Sequence, residues 1–150
     1  MPTKGAHRAL LLFHHIRSSK KIRDIHAWSE ELDLQGLLHI GYPGVLLVCD
    51  RRHADTSLVP EYVRRIKRLP WQSCELRSME RVEHPASLDA LHSTLSTYST
   101  PTSLLRRSGL VQLDRLKDIT AFTREADRIC IGMGLPPAWE ALYRNAMLAS

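Results

Sequence analysis

The sequence predicts an α+β domain in which short strands alternate with amphipathic helices. Three observations support this prediction. An apolar run of strand length precedes His14, a helical stripe of apolar residues follows it, and two short apolar runs then flank a Gly-Tyr-Pro-Gly segment that is typical of a turn. The stretch 14–48 contains this helix and this hairpin, and the rest of the chain is expected to complete or cover the same sheet.

Length and composition indicate a globular protein. At 150 residues the chain can form one domain with a sizeable core, or a small domain with a helical extension. No apolar run approaches the ~18 residues of a membrane span, and no signal-peptide pattern occurs, so we expect an intracellular protein, nuclear or cytoplasmic, with no membrane partner. The three cysteines lie far apart, which predicts buried apolar residues and neither disulfides nor a zinc site.

The first strand is predicted over residues 9–15, which are apolar on both alternating faces up to the histidines. Such a pattern indicates a central strand that is covered on both sides. Ser18 or Ser19 can cap the helix that follows, and Gly36 is expected to end it. The apolar stripe of this helix consists of Ile22, Ile25, Trp28 and Leu32.

Two further strands are predicted over residues 37–40 and 45–49. Pro43 and Gly44 between them suit the central positions of a type II turn, so a hairpin is expected. The apolar stripe of a second helix consists of Val59, Val63, Ile66 and Leu69, with Pro60 in the first turn. A fourth strand over residues 71–81 completes a βαββαβ order, which is the ferredoxin-like plan with an antiparallel sheet.

The C-terminal part is predicted to be helical. A short helix is expected around residues 88–98, a long amphipathic helix from Leu113 to Met133, and a last helix after Pro136-Pro137. Because the first and third strands are apolar on both faces, these helices are expected on the sheet face that a ferredoxin-like fold leaves open, or beside it. We therefore predict a ferredoxin-like core over residues 1–83 and additional C-terminal helices over residues 84–150 that pack on it.

Basic residues concentrate in the N-terminal half. The formal net charge is +5, of which residues 1–83 carry +4, and no acidic residue occurs before Asp24. Lys20, Lys21 and Arg23 fall at the start of the predicted first helix, where the helix dipole disfavours cations, at a cost of roughly 0.3–1 kcal/mol each. Such a patch indicates a polyanion partner; the alternative is that long lysines extend into water, where the penalty is small.

Several motifs in one order resemble a known family. They are His14-His15-Ile16, Lys20-Lys21, Ile25 and Trp28, Leu32-x-Leu34-x-Gly36, Gly41-Tyr42-Pro43-Gly44-Val45 and Leu69-x-Trp71. Over roughly residues 8–82 the chain resembles the C-terminal domain of the spliceosomal pre-mRNA-processing factor three, which is also the C-terminal domain of RWD-domain-containing proteins. The resemblance implies a ferredoxin-like fold and, from the splicing branch, binding of small nuclear RNA. Since Met1 is followed almost directly by the first strand, we expect a stand-alone member or a fragment.

Charge and resemblance together predict a non-enzymatic RNA-binding or ribonucleoprotein-associated module. Its expected partners are structured small nuclear RNA and the proteins of a ribonucleoprotein complex. The alternative is a protein–protein interaction adaptor of the RWD-protein type without direct RNA contact, whose C-terminal helices present an apolar groove. The predicted nucleic-acid-binding residues are His14, His15, Arg17, Lys20, Lys21, Arg23, Tyr42, Arg51 and Arg52.

No catalytic, metal or cofactor site is predicted. Adjacent strand residues point to opposite faces, so His14 and His15 are not expected to chelate one ion. No P-loop, nucleophile elbow or pair of catalytic carboxylates is recognisable, which argues against an enzyme. Base stacking on the sheet, as in an RRM, needs aromatic residues on the third strand, and residues 45–49 contain none. RNA contacts are therefore expected at loops and helix ends.

Overall fold

The computed structural model describes residues 5–51, 55–98 and 109–148. This part of the chain contains five strands and five helices. The strands are β1 (His7–Phe13), β2 (Leu34–His39), β3 (Gly44–Asp50), β4 (Cys74–Arg81) and β5 (Leu110–Leu113). The helices are α1 (Ser19–Glu31), α2 (Val59–Arg68), α3 (Ala86–Tyr98), α4 (Leu116–Gly132) and α5 (Glu140–Leu148).

The strands form one mixed sheet in the order β4-β1-β3-β2-β5. β1 pairs antiparallel with β3 and β4, and β3 pairs antiparallel with β2. β5 pairs parallel with β2 and was not predicted; the predicted start of a helix at Leu113 is wrong, because Leu113 is the last residue of β5. A segment of four residues, three of them apolar, is too short for periodicity to distinguish a strand from a helix. The architecture is therefore α+β, and residues on both sides of position 83 contribute to the same sheet.

Helices cover both faces of the sheet. α1 and α2 pack on one face, where Leu11 and Phe13 of β1 are buried. α3, α4 and α5 cover the other face, where Leu10 of β1 and Leu47 of β3 are buried. β1 and β3 can be apolar on both faces because each face has its own helical layer. The helical layers consequently leave no open surface over β1 and β3 for a base-stacking partner.

α1 begins where the sequence predicts and ends differently. The Ser18 side chain accepts a hydrogen bond of 3.3 Å from the backbone N–H of Lys21 and caps the helix. The chain leaves the helix through Asp33, whose φ of 55° is a left-handed conformation that Asp tolerates better than most residues. The prediction that Gly36 ends the helix is wrong, because Gly36 lies inside β2. A Cβ atom at Gly36 would lie 1.8 Å from the backbone oxygen of Leu47, so only glycine fits there.

The connection between β2 and β3 is not the predicted type II turn. Gly44 is the first residue of β3 and pairs with Phe13, and the Tyr42–Pro43 peptide bond is cis. A Cβ atom at Gly44 would lie 2.4 Å from Cγ1 of Ile16, which explains the glycine. Ile16 exchanges two backbone hydrogen bonds of 2.9 Å with Gly41. This bridge fastens the loop after β1 to the β2–β3 turn.

β4 forms one edge of the sheet and contains a β-bulge. Ser78 lies opposite Leu10 and Leu76 lies opposite Leu11, so Arg77 is the extra residue on β4. A bulge bends an edge strand and, together with charged side chains, protects the edge against pairing with another strand.

A buried carboxylate fixes the start of α5. Asp127 of α4 accepts hydrogen bonds from the backbone N–H groups of Ala138, Trp139 and Glu140, at 2.8–3.1 Å. These N–H groups have no partner within their own helix, so the carboxylate satisfies them and joins α4 to α5.

Candidate nucleic-acid interface

Three connections meet at one end of the sheet. Phe13, the last residue of β1, pairs with Gly44 at the start of β3 and with Cys74 at the start of β4. The loop from β1 to α1, the β2–β3 turn and the connection from α2 to β4 are therefore neighbours. This end collects most of the residues that the sequence predicts to bind nucleic acid, and we call it the basic end.

The histidine pair lies in the loop after β1. The Nδ1 atoms of His14 and His15 are 2.9 Å apart, and the ring of His14 meets that of Tyr42 edge to face, with centroids at 4.9 Å. The prediction that the two histidines point to opposite faces is wrong, because the strand ends at Phe13 and its alternation ends with it. Tyr42 is 72% exposed, which leaves a large part of its ring surface free to stack on a base.

A small recess opens beside Tyr42. Its volume is about 190 Å³, and apolar atoms of Leu12, Phe13 and Pro43 form much of its lining. His14 and Glu75 also border it. An apolar recess next to an exposed aromatic ring suits the flat surface of an unpaired base better than a phosphate, which the carboxylate of Glu75 would repel.

The protonation of His15 responds to the charges around it. Desolvation lowers the pKa of His15 below its ordinary value of 6.5, and the positive charges of Arg17, His14 and Lys21 lower this pKa further. Nη2 of Arg17 lies 3.4 Å from Nε2 of His15. The hydrogen bond between the two Nδ1 atoms requires one donor and one acceptor. It therefore breaks when both imidazole rings are protonated at both nitrogens. An anion bound here would offset the local positive charge and favour protonation.

The cations at the start of α1 have different surroundings. The first turn contains no acidic residue and the last turn no basic residue, which confirms the predicted unfavourable arrangement relative to the dipole. Lys20 pairs with Asp24 at 3.3 Å, and Arg23 is exposed. Lys21 instead lies over the ring of Trp71, with Nζ 4.5 Å from the centroid, and donates a hydrogen bond to the carbonyl oxygen of Pro70. Lys21 therefore joins α1 to the α2–β4 connection.

Lys67 and Arg68 were not predicted to belong to this surface. Both are exposed in the last turn of α2, which leads directly to Pro70 and Trp71. The positive charge of Lys67 also opposes the burial that raises the pKa of the Cys74 thiol at the start of β4. The predicted ferredoxin-like order already indicates this neighbourhood. A strand order that places β4 beside β1 also places the end of α2 near the start of α1. At the same time, cations at a helix C-terminus are stabilising without any ligand.

Arg51 lies away from the basic end. It follows β3, whose start is at the basic end, so the length of a seven-residue strand, ~20 Å, separates the two. Nε of Arg51 is 3.3 Å from the carboxylate of Asp33. Arg51 thus does not join the cluster of His14, His15, Arg17, Lys20, Lys21, Arg23 and Tyr42. Arg52 lies outside the described residues.

Among the described residues, no group of three or more His, Cys, Asp or Glu side chains is placed to hold a metal ion. None of the helices seen in these residues has both the length and the apolar character needed to cross a membrane. No family model matches this chain, and no curated protein sequence matches it.

Proposed function

We propose that this chain is a non-enzymatic RNA-binding or ribonucleoprotein-associated module that uses its basic end. The observation that carries the proposal is the convergence of two cationic helix ends and an exposed tyrosine beside the apolar recess. The exposed cations of this surface are Arg17, Lys20 and Arg23 around the start of α1 and Lys67 and Arg68 at the end of α2. The resemblance to the splicing-factor domain supports an intracellular, ribonucleoprotein setting.

Each part of the surface suits a different part of an RNA strand. The exposed guanidinium and ammonium groups neutralise phosphates, and the backbone N–H groups in the first turn of α1 add partial positive charge. Tyr42 stacks on an unpaired base. Because helices cover both faces of the sheet, RNA follows the loops at the end of the sheet and does not lie across its surface.

The arrangement of the first four strands supports the ferredoxin-like plan that accompanies this proposal. β4, β1, β3 and β2 are neighbours in that order, and each pair is antiparallel. α1 connects β1 to β2 and α2 connects β3 to β4, and both helices pack on the same face. In this interpretation β5 and α3 to α5 are additions to a ferredoxin-like core.

The test removes charge and leaves Lys21 in place. The variant Arg17→Gln/Lys20→Gln/Arg23→Gln should reduce affinity for a short structured RNA with an unpaired end at least about tenfold at low salt. For every phosphate that is no longer neutralised, the slope of log affinity against log salt should also become shallower by about 0.9. The matched control is Arg115→Gln/Lys117→Gln/Arg128→Gln, which removes three exposed cations from the α4 region.

Two results would exclude this function. One is a wild-type protein that does not bind RNA at low salt. The other is equal loss of affinity in the variant and in the control, because net charge alone, and not the basic end, would then explain the binding. Circular dichroism on both proteins should establish that the fold is retained.

The adaptor function remains the second candidate, and exposed apolar residues favour it. Ile131 and Met133 at the end of α4 are 61% and 47% exposed, and Leu148 at the end of α5 is 74% exposed. An adaptor would capture the same proteins from nuclease-treated and untreated lysate, and Ile131→Glu/Met133→Glu would abolish this capture. An RNA-dependent module would lose its partners after nuclease treatment and keep them in the Ile131→Glu/Met133→Glu variant.

A further inference from the structure

A second candidate site lies on the opposite face of the sheet from α1. A pocket of about 460 Å³ opens between β4 and α5. This volume falls within the range of about 300–1,000 Å³ that small-molecule sites occupy. Arg8 of β1, Arg77, Ser78 and Glu80 of β4, and Asn145 of α5 supply its polar lining. Ala141, Leu142 and Ala146 of α5 supply its apolar wall.

The β-bulge places the second arginine in this pocket. Along a regular strand, Arg77 would point to the opposite face from Ser78. Because Arg77 is the extra residue of the bulge, it borders the same pocket as Ser78, Glu80 and Arg8. Bulges redirect side chains in this way beside binding sites. The side chain of Arg77 is only 17% exposed, although it stands on an edge strand.

The two arginines differ in how their donors are used. Arg8 donates Nε to Glu80 at 2.9 Å, donates another nitrogen to the carbonyl oxygen of Ala138, and lies over the ring of Trp139 with its Cζ 5.2 Å from the centroid. Arg8 is therefore fixed. Nε of Arg77 is buried and forms no hydrogen bond with any described residue, although the carboxylate of Glu75 is 3.1 Å away. Glu75 therefore already holds Nε in an ion pair. No described residue accepts a hydrogen bond from the terminal nitrogens of Arg77, so these two nitrogens can donate to an acceptor in the pocket.

We propose that this pocket binds a small organic monocarboxylate through Arg77. A planar carboxylate matches the fork of guanidinium donors, and an apolar body fits against Ala141 and Ala146. Glu80 disfavours a dianion, because its carboxylate already borders the pocket. Glu75 keeps its ion pair with Nε, and the ligand takes the terminal nitrogens of Arg77. The site is independent of the proposed RNA contact at the basic end.

The experiment compares hexanoate with the neutral hexanamide, which has the same chain length. Ligand-observed NMR titrations of the whole protein should show saturable binding of hexanoate and none of hexanamide. Arg77→Gln should weaken hexanoate binding about tenfold or more, because the charged donor is lost. Asn145→Asp, an exposed change that leaves β4 intact, should weaken it as well, because it adds a like charge at the rim. Arg64→Gln, an exposed arginine of α2, is the control and should bind hexanoate as the wild type does.

Three results would overturn the proposal. They are a wild type that binds no hexanoate, equal binding of hexanoate and hexanamide, and an unchanged dissociation constant in both Arg77→Gln and Asn145→Asp. Loss in Asn145→Asp alone would assign binding to α5 and would exclude Arg77 as the anion site.

Discussion

Neutralising Lys20 and neutralising Lys21 should have different effects on stability, although the two residues are adjacent and identical. Lys20→Gln removes an exposed pair with Asp24, which contributes roughly 0.3–0.5 kcal/mol, and also removes a dipole penalty of about 0.3–1 kcal/mol. The two terms nearly cancel. The free energy of unfolding should therefore change by less than about 0.5 kcal/mol.

Lys21→Gln should lower the free energy of unfolding, because the contacts that it removes contribute more than the dipole penalty that it relieves. The cation–π contact with Trp71 contributes about 0.5–1 kcal/mol at an exposed site, and the hydrogen bond to the carbonyl of Pro70 contributes about 1 kcal/mol. Relief of the same dipole penalty offsets about 0.3–1 kcal/mol of this loss. The net expectation is a destabilisation of about 1 kcal/mol.

Urea denaturation of the two single variants measures both changes. A double-mutant cycle of Lys21→Gln with Trp71→Leu should give a coupling energy of about 0.5–1 kcal/mol, while Lys20→Gln with Trp71→Leu should give none. Equal destabilisation by the two lysine variants would refute the reasoning, because it would mean that the contact of Lys21 with the α2–β4 connection contributes nothing. It would also remove the reason for sparing Lys21 in the RNA-binding variant.

Three further predictions concern the fold, the thiols and pH. Gly36→Ala should destabilise the protein by about 3 kcal/mol or more in urea denaturation, because the new methyl group overlaps the backbone oxygen of Leu47, and a loss below about 1 kcal/mol would contradict this steric argument. Burial raises the pKa of Cys74 to about 11 from an ordinary 9.0, so a disulfide reagent at pH 8 should label it about 100-fold more slowly in the native than in the unfolded protein. If RNA binds at the basic end, its phosphates raise the lowered pKa of His15, so RNA affinity should increase as pH falls from 7 towards 5. Fluorescence anisotropy of a labelled RNA should show this increase. The variant His15→Gln should make the affinity less dependent on pH.

The elements with strong periodicity could be predicted from the sequence, and those set by distant contacts could not. The apolar stripe of α1 and its Ser18 cap predict that helix to within a residue at its start. The predicted end of α1 was wrong because Gly36 is more often a helix terminator than a strand residue. The reason for this glycine, the approach of the Leu47 carbonyl oxygen, exists only once β2 and β3 are paired. β5 was missed for the same kind of reason, since its four residues become a strand only by pairing with β2.

The candidate site shows how much a charge pattern predicts by itself. Counting cations before Asp24 is enough to group those around the start of α1, because these residues are close together in the chain. It could not decide which distant cations join them, since that depends on which strand ends share an edge of the sheet. Arg51 follows β3 and therefore lies at the end of the sheet opposite the basic end. Lys67 and Arg68 precede β4 and lie at the basic end. Strand order therefore decides which cations share one surface of the protein.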